Sequence, residues 1–156
     1  MDTARYDLLK LENQLCFPLY AVSREVIKLY KSFLDELDLT YTQYIAMILL
    51  WEYGSMTVKE IGERLFLDSG TLTPLLKKLE AKGYITRTRS TKDERNLIVT
   101  MTEVGEAVKD KARGMILSMD NRCPLTTEEA VTLYKLLYKG LGEPDADAPD
   151  WACDGQ

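Results

Sequence analysis

The 156-residue chain contains no histidine. That single absence removes imidazole acid–base catalysis, Ser-His-Asp triads and HExxH zinc sites together. Its three cysteines, Cys16, Cys123 and Cys153, stand 107 and 30 positions apart, so there is no CxxC redox pair or zinc knuckle. An odd number of thiols argues against a disulfide framework and leaves any sulfur chemistry to individual residues. Long apolar runs are missing too. The longest, Ile45 to Trp51, has seven residues, against about 20 needed to cross a bilayer. The first residues, MDTARYDLLKLENQ, carry charge where a secretory signal would be apolar. These features predict a cytoplasmic protein with no membrane partner, no metal and no cofactor. Hydrophobic residues at 46% and charged residues at 29% are those of an ordinary globular domain.

The net charge of −5 looks unfavourable for nucleic acid, but it is unevenly placed. Residues 143–156 hold one Glu and four Asp with no Lys or Arg, so the remainder of the chain is neutral. Between Lys77 and Arg95 there are seven cations (Lys77, Lys78, Lys82, Arg87, Arg89, Lys92, Arg95) against three acids, a local excess of +4. A phosphate backbone responds to such a stripe at Debye-length range rather than to the global charge. A solvated helix and hairpin surface would give the same excess.

Helical periodicity dominates. Leu8, Leu11, Leu15, Leu19, Val22, Val26, Leu29, Phe33 and Leu37 follow three- and four-residue steps and predict one helix over 8–37. Pro18 would remove a hydrogen bond from that helix and free the Gln14 carbonyl. Capping boxes at Thr40–Gln43, Thr57–Glu60 and Thr126–Glu129 open further helices. Another is expected over Thr71–Lys82, with Pro74 in its first turn. Tyr84–Arg89 and Asn96–Met101 read as a two-stranded hairpin with a polar tip, followed by one long helix from Thr102 to Met119. The fold class is therefore mainly α with a small β hairpin: a winged helix-turn-helix with N- and C-terminal dimerisation helices. One domain is expected over 1–142. Residues 8–37 and 103–141 would form the dimerisation helices, 41–101 the winged DNA-binding part, and 143–156 an acidic, disordered tail. The broad apolar faces of the outer helices predict a homodimer, which would present two recognition helices to successive half-sites of a duplex.

The strings Leu15-Cys16-Phe17-Pro18-Leu19-Tyr20-Ala21, Asp68-Ser69-Gly70-Thr71-Leu72-Thr73-Pro74-Leu75-Leu76 and Asp93-Glu94-Arg95 resemble the organic hydroperoxide resistance regulators within the multiple antibiotic resistance regulator (MarR) family. The likeness covers about residues 8–141. It implies a DNA-binding repressor, not an enzyme, that releases a pseudo-palindromic operator when an organic hydroperoxide oxidises Cys16. By resemblance, Tyr30 and Tyr41 are phenol donors to the sulfur, and Tyr20, one helical turn away, is counted with them as supporting the thiolate. Donated hydrogen bonds favour a thiolate, the form that peroxide attacks. Cys123 corresponds to the resolving cysteine of the two-cysteine branch; otherwise a low-molecular-weight thiol caps Cys16. Cys153 is expected to be incidental. Ser69, Thr71 and Thr73 would meet bases or phosphates from the recognition helix, and Lys77 and Lys78 phosphates. The resemblance places Arg95 in the minor groove, oriented by Asp93.

Spacing alone leaves blander readings open. A lone cysteine on an apolar helix face reads equally as a small buried hydrophobe, the tyrosines as core, the hydroxyls as caps and Asp93–Arg95 as an exposed ion pair. Rival functions are a MarR-type regulator that answers a lipophilic or phenolic ligand without thiol chemistry, a thiol peroxidase, and a protein-interaction module.

Overall fold

The computed structural model describes residues 9–91, 96–119, 124–143 and 147–152. They fall into two compact units, residues 1–115 and 116–156. The first holds α1 (Cys16–Glu36), α2 (Tyr41–Tyr53), β1 (Ser55–Thr57), α3 (Val58–Leu65), α4 (Ser69–Ala81), β2 (Ile85–Arg89), β3 (Leu97–Met101) and α5 (Glu103–Ala107). Helix α6 (Lys109–Met119) runs across the division, and the second unit continues with α7 (Thr127–Gly140) and a 3-10 turn at Asp150–Ala152. No helix among the described residues is long and apolar enough to cross a membrane.

All three capping boxes form as their spacing predicts. The backbone N–H of Gln43, Glu60 and Glu129 donates to the hydroxyl of Thr40, Thr57 and Thr126 respectively, and each third-position side chain reaches back to the cap. Beside them, Leu39 with Tyr44 and Met56 with Ile61 are buried, as the staple pattern requires. The core of the first unit gathers Met47 and Leu50 of α2, Ile61 of α3, Leu72, Leu76 and Leu79 of α4, Ile85 and Val99 of the sheet, and Leu34 near the end of α1. Each fully buried aliphatic side chain contributes roughly 1.5–3 kcal/mol.

The structure corrects five local expectations. The helix expected over 8–37 is split: Leu11–Asn13 is a 3-10 turn, Gln14 is extended, and α1 begins at Cys16. Pro18 therefore sits in the first turn, where amides have no intrahelical partner, and costs no hydrogen bond. The Gln14 carbonyl is not free either, since it accepts the Phe17 N–H at 3.2 Å. Second, the hairpin is part of a three-stranded antiparallel sheet of order β1-β3-β2, with Met56 opposite Val99 and Arg87 opposite Val99 on the other edge. Third, α4 begins two residues earlier than expected because Asp68 caps it. Pro74 is consequently inside the helix, where it has no N–H to donate to the Gly70 carbonyl.

The fourth correction concerns the helix expected from Thr102 to Met119, which breaks at Val108. There the Gly105 carbonyl accepts the Trp51 indole N–H at 3.0 Å and the Val108 N–H at 3.3 Å. A contact from 54 residues away thus occupies the carbonyl that would have continued the helix. Finally, the acidic tail is not featureless: Asp150–Ala152 is a 3-10 turn beside α7.

Candidate functional site

Cys16 is the first residue of α1, exposed and unbonded to any other sulfur. Within a single chain it is not packed into the core. It also stands at the end of a helix where negative charge is favoured. Tyr20 lies one turn on, exposed, and its hydroxyl accepts a hydrogen bond from Arg24 Nη1 at 2.8 Å.

Tyr30 and Tyr41 meet edge to face with ring centroids 5.3 Å apart. Tyr44 joins both, at 5.9 and 6.4 Å, and leads on to Trp51 at 6.4 Å. The capping pattern marks Tyr44 only as the apolar partner of Leu39; its contact with two other phenols arises when α1 and α2 pack. Burial, and then the neighbouring Tyr30, push the Tyr41 phenol above its ordinary range. Burial, and then Tyr30 and Tyr41, push that of Tyr44 up to about 12. Tyr41 and Tyr44 therefore keep their protons throughout the neutral range and remain donors. The hydroxyls of Tyr30 and Tyr41 have no hydrogen-bond partner among the described residues. Yet they do not reach Cys16 of their own chain. α1 is continuous, and fourteen residues along it span about 21 Å at roughly 1.5 Å per residue.

A second face is built by α3, α4 and the sheet. The Asp68 carboxylate accepts the Thr71 N–H at 3.0 Å and its hydroxyl at 2.9 Å, and these bonds hold the Asp68 carboxyl below the usual range. Thr71 is thus committed to the cap, while Ser69, Thr73, Lys77 and Lys78 are exposed. With Leu72, Leu75, Leu76 and Leu79 buried, the 100° step of a helix turns Gly70, Pro74 and Lys77 directly away from the core. Thr73 and Lys78 flank that line.

The basic stripe resolves into two kinds of residue. Arg87 donates to Glu80 at 2.9 Å and is mostly buried, and Lys82 pairs with Asp38 at 2.9 Å, so both tie the fold together. Lys77, Lys78 and Arg89 have no ion-pair partner among the described residues and are exposed. Arg89 stands at the end of β2, beside the hairpin tip. Asp93, Arg95 and Cys123 lie outside the described residues.

If the exposed face of α4 meets phosphate, Lys77→Ala and Lys78→Ala each reduce the slope of log affinity against log salt by about 0.9. Arg87→Ala leaves the slope unchanged. Fluorescence anisotropy on a duplex between low and moderate salt checks this.

The family profile "Transcriptional regulator SarA/Rot" matches residues 28–112. The organic hydroperoxide resistance transcriptional regulator of Bacillus subtilis (strain 168) is 57% identical over 137 residues, covering 86% of this chain and 91% of that protein. The chain belongs to the MarR-like transcriptional regulators of the SarA/Rot family. This MarR-type regulator is also 48% identical to SarZ of Staphylococcus aureus (strain USA300), over 77% of its own length and 81% of the relative's. Among solved structures it is similar to AbfR of Staphylococcus epidermidis, here reduced and bound to DNA: 37% identity, 85% of this chain and 91% of that one, TM-score 0.73. AbfR has also been solved overoxidised on DNA and with a disulfide formed. The family comprises transcription regulators, not enzymes, and the MarR-type regulator shares their largely helical winged fold.

Proposed function

We propose that this MarR-type regulator is a homodimeric repressor that releases a pseudo-palindromic operator when an organic hydroperoxide oxidises Cys16. The observation that carries the reading is the separation of parts within one chain. An exposed thiol stands at the start of α1, and the phenols of Tyr30 and Tyr41, without a hydrogen-bond partner among the described residues, meet about four turns further along it. The intervening face is apolar and exposed, with Leu19, Val22, Val26 and Leu29 all at least 38% accessible. In the second unit Leu133, Leu136, Leu137 and Leu141 are similarly uncovered. Covering these faces with a second copy is the closed, two-fold solution.

Residues 16 and 30 are equidistant from Ser23, a small side chain. Two α1 helices crossing antiparallel at Ser23 would set Cys16 of each subunit beside Tyr30, and hence Tyr41, of the other. Phenol hydroxyls donated to the sulfur favour its anion. The thiolate then attacks the distal oxygen of the hydroperoxide; the O–O bond breaks, sulfur becomes sulfenic acid and the alkoxide leaves as an alcohol after gaining a proton. Condensation with a second thiol expels water and forms a disulfide, with Cys123 or a low-molecular-weight thiol as the partner. Because overoxidised AbfR occupies DNA, we assign release to this disulfide step rather than to oxygen on sulfur alone. On DNA, Ser69, Thr73, Lys77 and Lys78 of α4 would contact groove and phosphates, with Asp93 and Arg95 at the wing tip reading the minor groove as the family resemblance implies.

A cavity of about 240 Å³ beside Tyr41, lined by Ile27, Leu34 and Leu39 among others, favours the second reading, in which a phenolic or lipophilic ligand acts without thiol chemistry. It lies below the roughly 300 Å³ at which ligand pockets begin. A gel shift on DNA upstream of the gene, before and after cumene hydroperoxide and with the protein's mass measured in parallel, separates them. The redox reading expects loss of binding together with a mass change on Cys16. Retained binding by the oxidised disulfide form contradicts it.

A further inference from the structure

Cys16, Tyr20 and Arg24 succeed one another at four-residue steps on a single continuous helix, so each lies over the next. Arg24 Nη1 donates to the Tyr20 oxygen at 2.8 Å, and the guanidinium carbon lies 5.6 Å from the centre of the Tyr20 ring. An arginine carries five donors and no acceptor and stays charged. It can therefore only occupy the phenol's lone pair, which leaves the Tyr20 O–H proton to be directed elsewhere. Arg24 has no carboxylate ion-pair partner among the described residues, although Glu25 is adjacent and adds a weak field.

We propose that Arg24 is a positioning residue for the peroxide step, holding and polarising Tyr20 so that the phenol donates its proton to the departing alkoxide. The inference rests on the reading that a hydroperoxide oxidises Cys16. In that step the thiolate supplies two electrons to the distal peroxide oxygen, the S–O bond forms and the O–O bond breaks. The alkoxide is far more basic than a phenolate, so the proton passes from Tyr20 to it and yields the alcohol. The Arg24 charge compensates the transient phenolate, which recovers its proton from water. This role differs from that assigned to Tyr30 and Tyr41, which favour the thiolate before the peroxide arrives. It gives an exposed arginine–tyrosine pair, worth little as a surface contact, a place in the chemistry.

Two reagents distinguish these roles. Iodoacetamide also needs the Cys16 thiolate, but its leaving group is iodide and takes no proton. In the full-length dimer, Arg24→Ala and Tyr20→Phe each are expected to slow sulfenic acid formation by cumene hydroperoxide about tenfold while changing alkylation less than about twofold. The double variant should be no slower than Tyr20→Phe, and Arg24→Lys should recover part of the rate. Equal loss in both reactions would show that Arg24 acts on the thiolate and overturn the proposal, as would an unchanged peroxide rate. If wild type forms no sulfenic acid at Cys16, the redox reading itself falls, and this role with it.

Discussion

Cys16→Ser is expected to bind the operator as tightly as wild type and to keep at least about tenfold more affinity than wild type after organic hydroperoxide. The substitution removes one polarisable sulfur from the exposed first residue of α1, where no core packing depends on it. Folding and DNA affinity should therefore be unaffected. A serine hydroxyl is not ionised at neutral pH and does not attack peroxide, so the first covalent step has no nucleophile. Cys123→Ser separates the second step. With an internal disulfide as the product, this variant forms sulfenic acid but stays on DNA until a small thiol is added. With a mixed disulfide as the product, small thiol releases wild type and Cys123→Ser alike. Anisotropy titrations of the three proteins, reduced and oxidised, read all of these outcomes. Release of Cys16→Ser by peroxide would remove the sulfur from the mechanism.

Gly105→Ala is expected to be the most damaging conservative substitution in the winged unit. Gly105 is buried at the start of α5, and a methyl there would collide with the Tyr84 carbonyl oxygen and lie 2.5 Å from Met101 Sδ. The methionine can yield, but the carbonyl cannot. It accepts the Thr102 N–H at 3.1 Å and the Thr102 hydroxyl at 3.0 Å, at the base of the wing. Relief must come from moving α5, which also breaks the Trp51 bond to the Gly105 carbonyl. Overpacking combined with a lost buried hydrogen bond puts the cost at about 3 kcal/mol. Urea denaturation should show a lower midpoint with little change in slope. Trp51→Phe, which keeps one aromatic ring but loses the N–H and the rest of the indole, should cost about 2 kcal/mol.

These two positions also show what the sequence makes legible. Capping boxes are written in four consecutive residues, so Thr40, Thr57 and Thr126 could be read directly. The beginning of α1 could not. Leu8 and Leu11 continue the apolar rhythm, but nothing in that rhythm marks Gln14 as extended. Strand β1 hides in three residues whose last, Thr57, doubles as a cap, and it is made a strand only by β3 more than forty residues later. The break at Val108 depends in the same way on Trp51. Within the charged stripe, composition does not distinguish Arg87, held by Glu80, from Lys77, which projects freely. The proposed grouping of Cys16 with Tyr30 and Tyr41 is legible only through family resemblance. One chain holds its halves about 21 Å apart, and no periodicity records what a second copy brings.

A mixed dimer tests that arrangement directly. One subunit would carry Cys16→Ser with its phenols intact, and the other Tyr30→Phe and Tyr41→Phe with its Cys16 intact. If phenols of one subunit serve the sulfur of the other, the mixed dimer contains one complete site, and its single Cys16 should oxidise at the wild-type rate. Oxidation as slow as in the homodimer lacking both tyrosines would contradict the account.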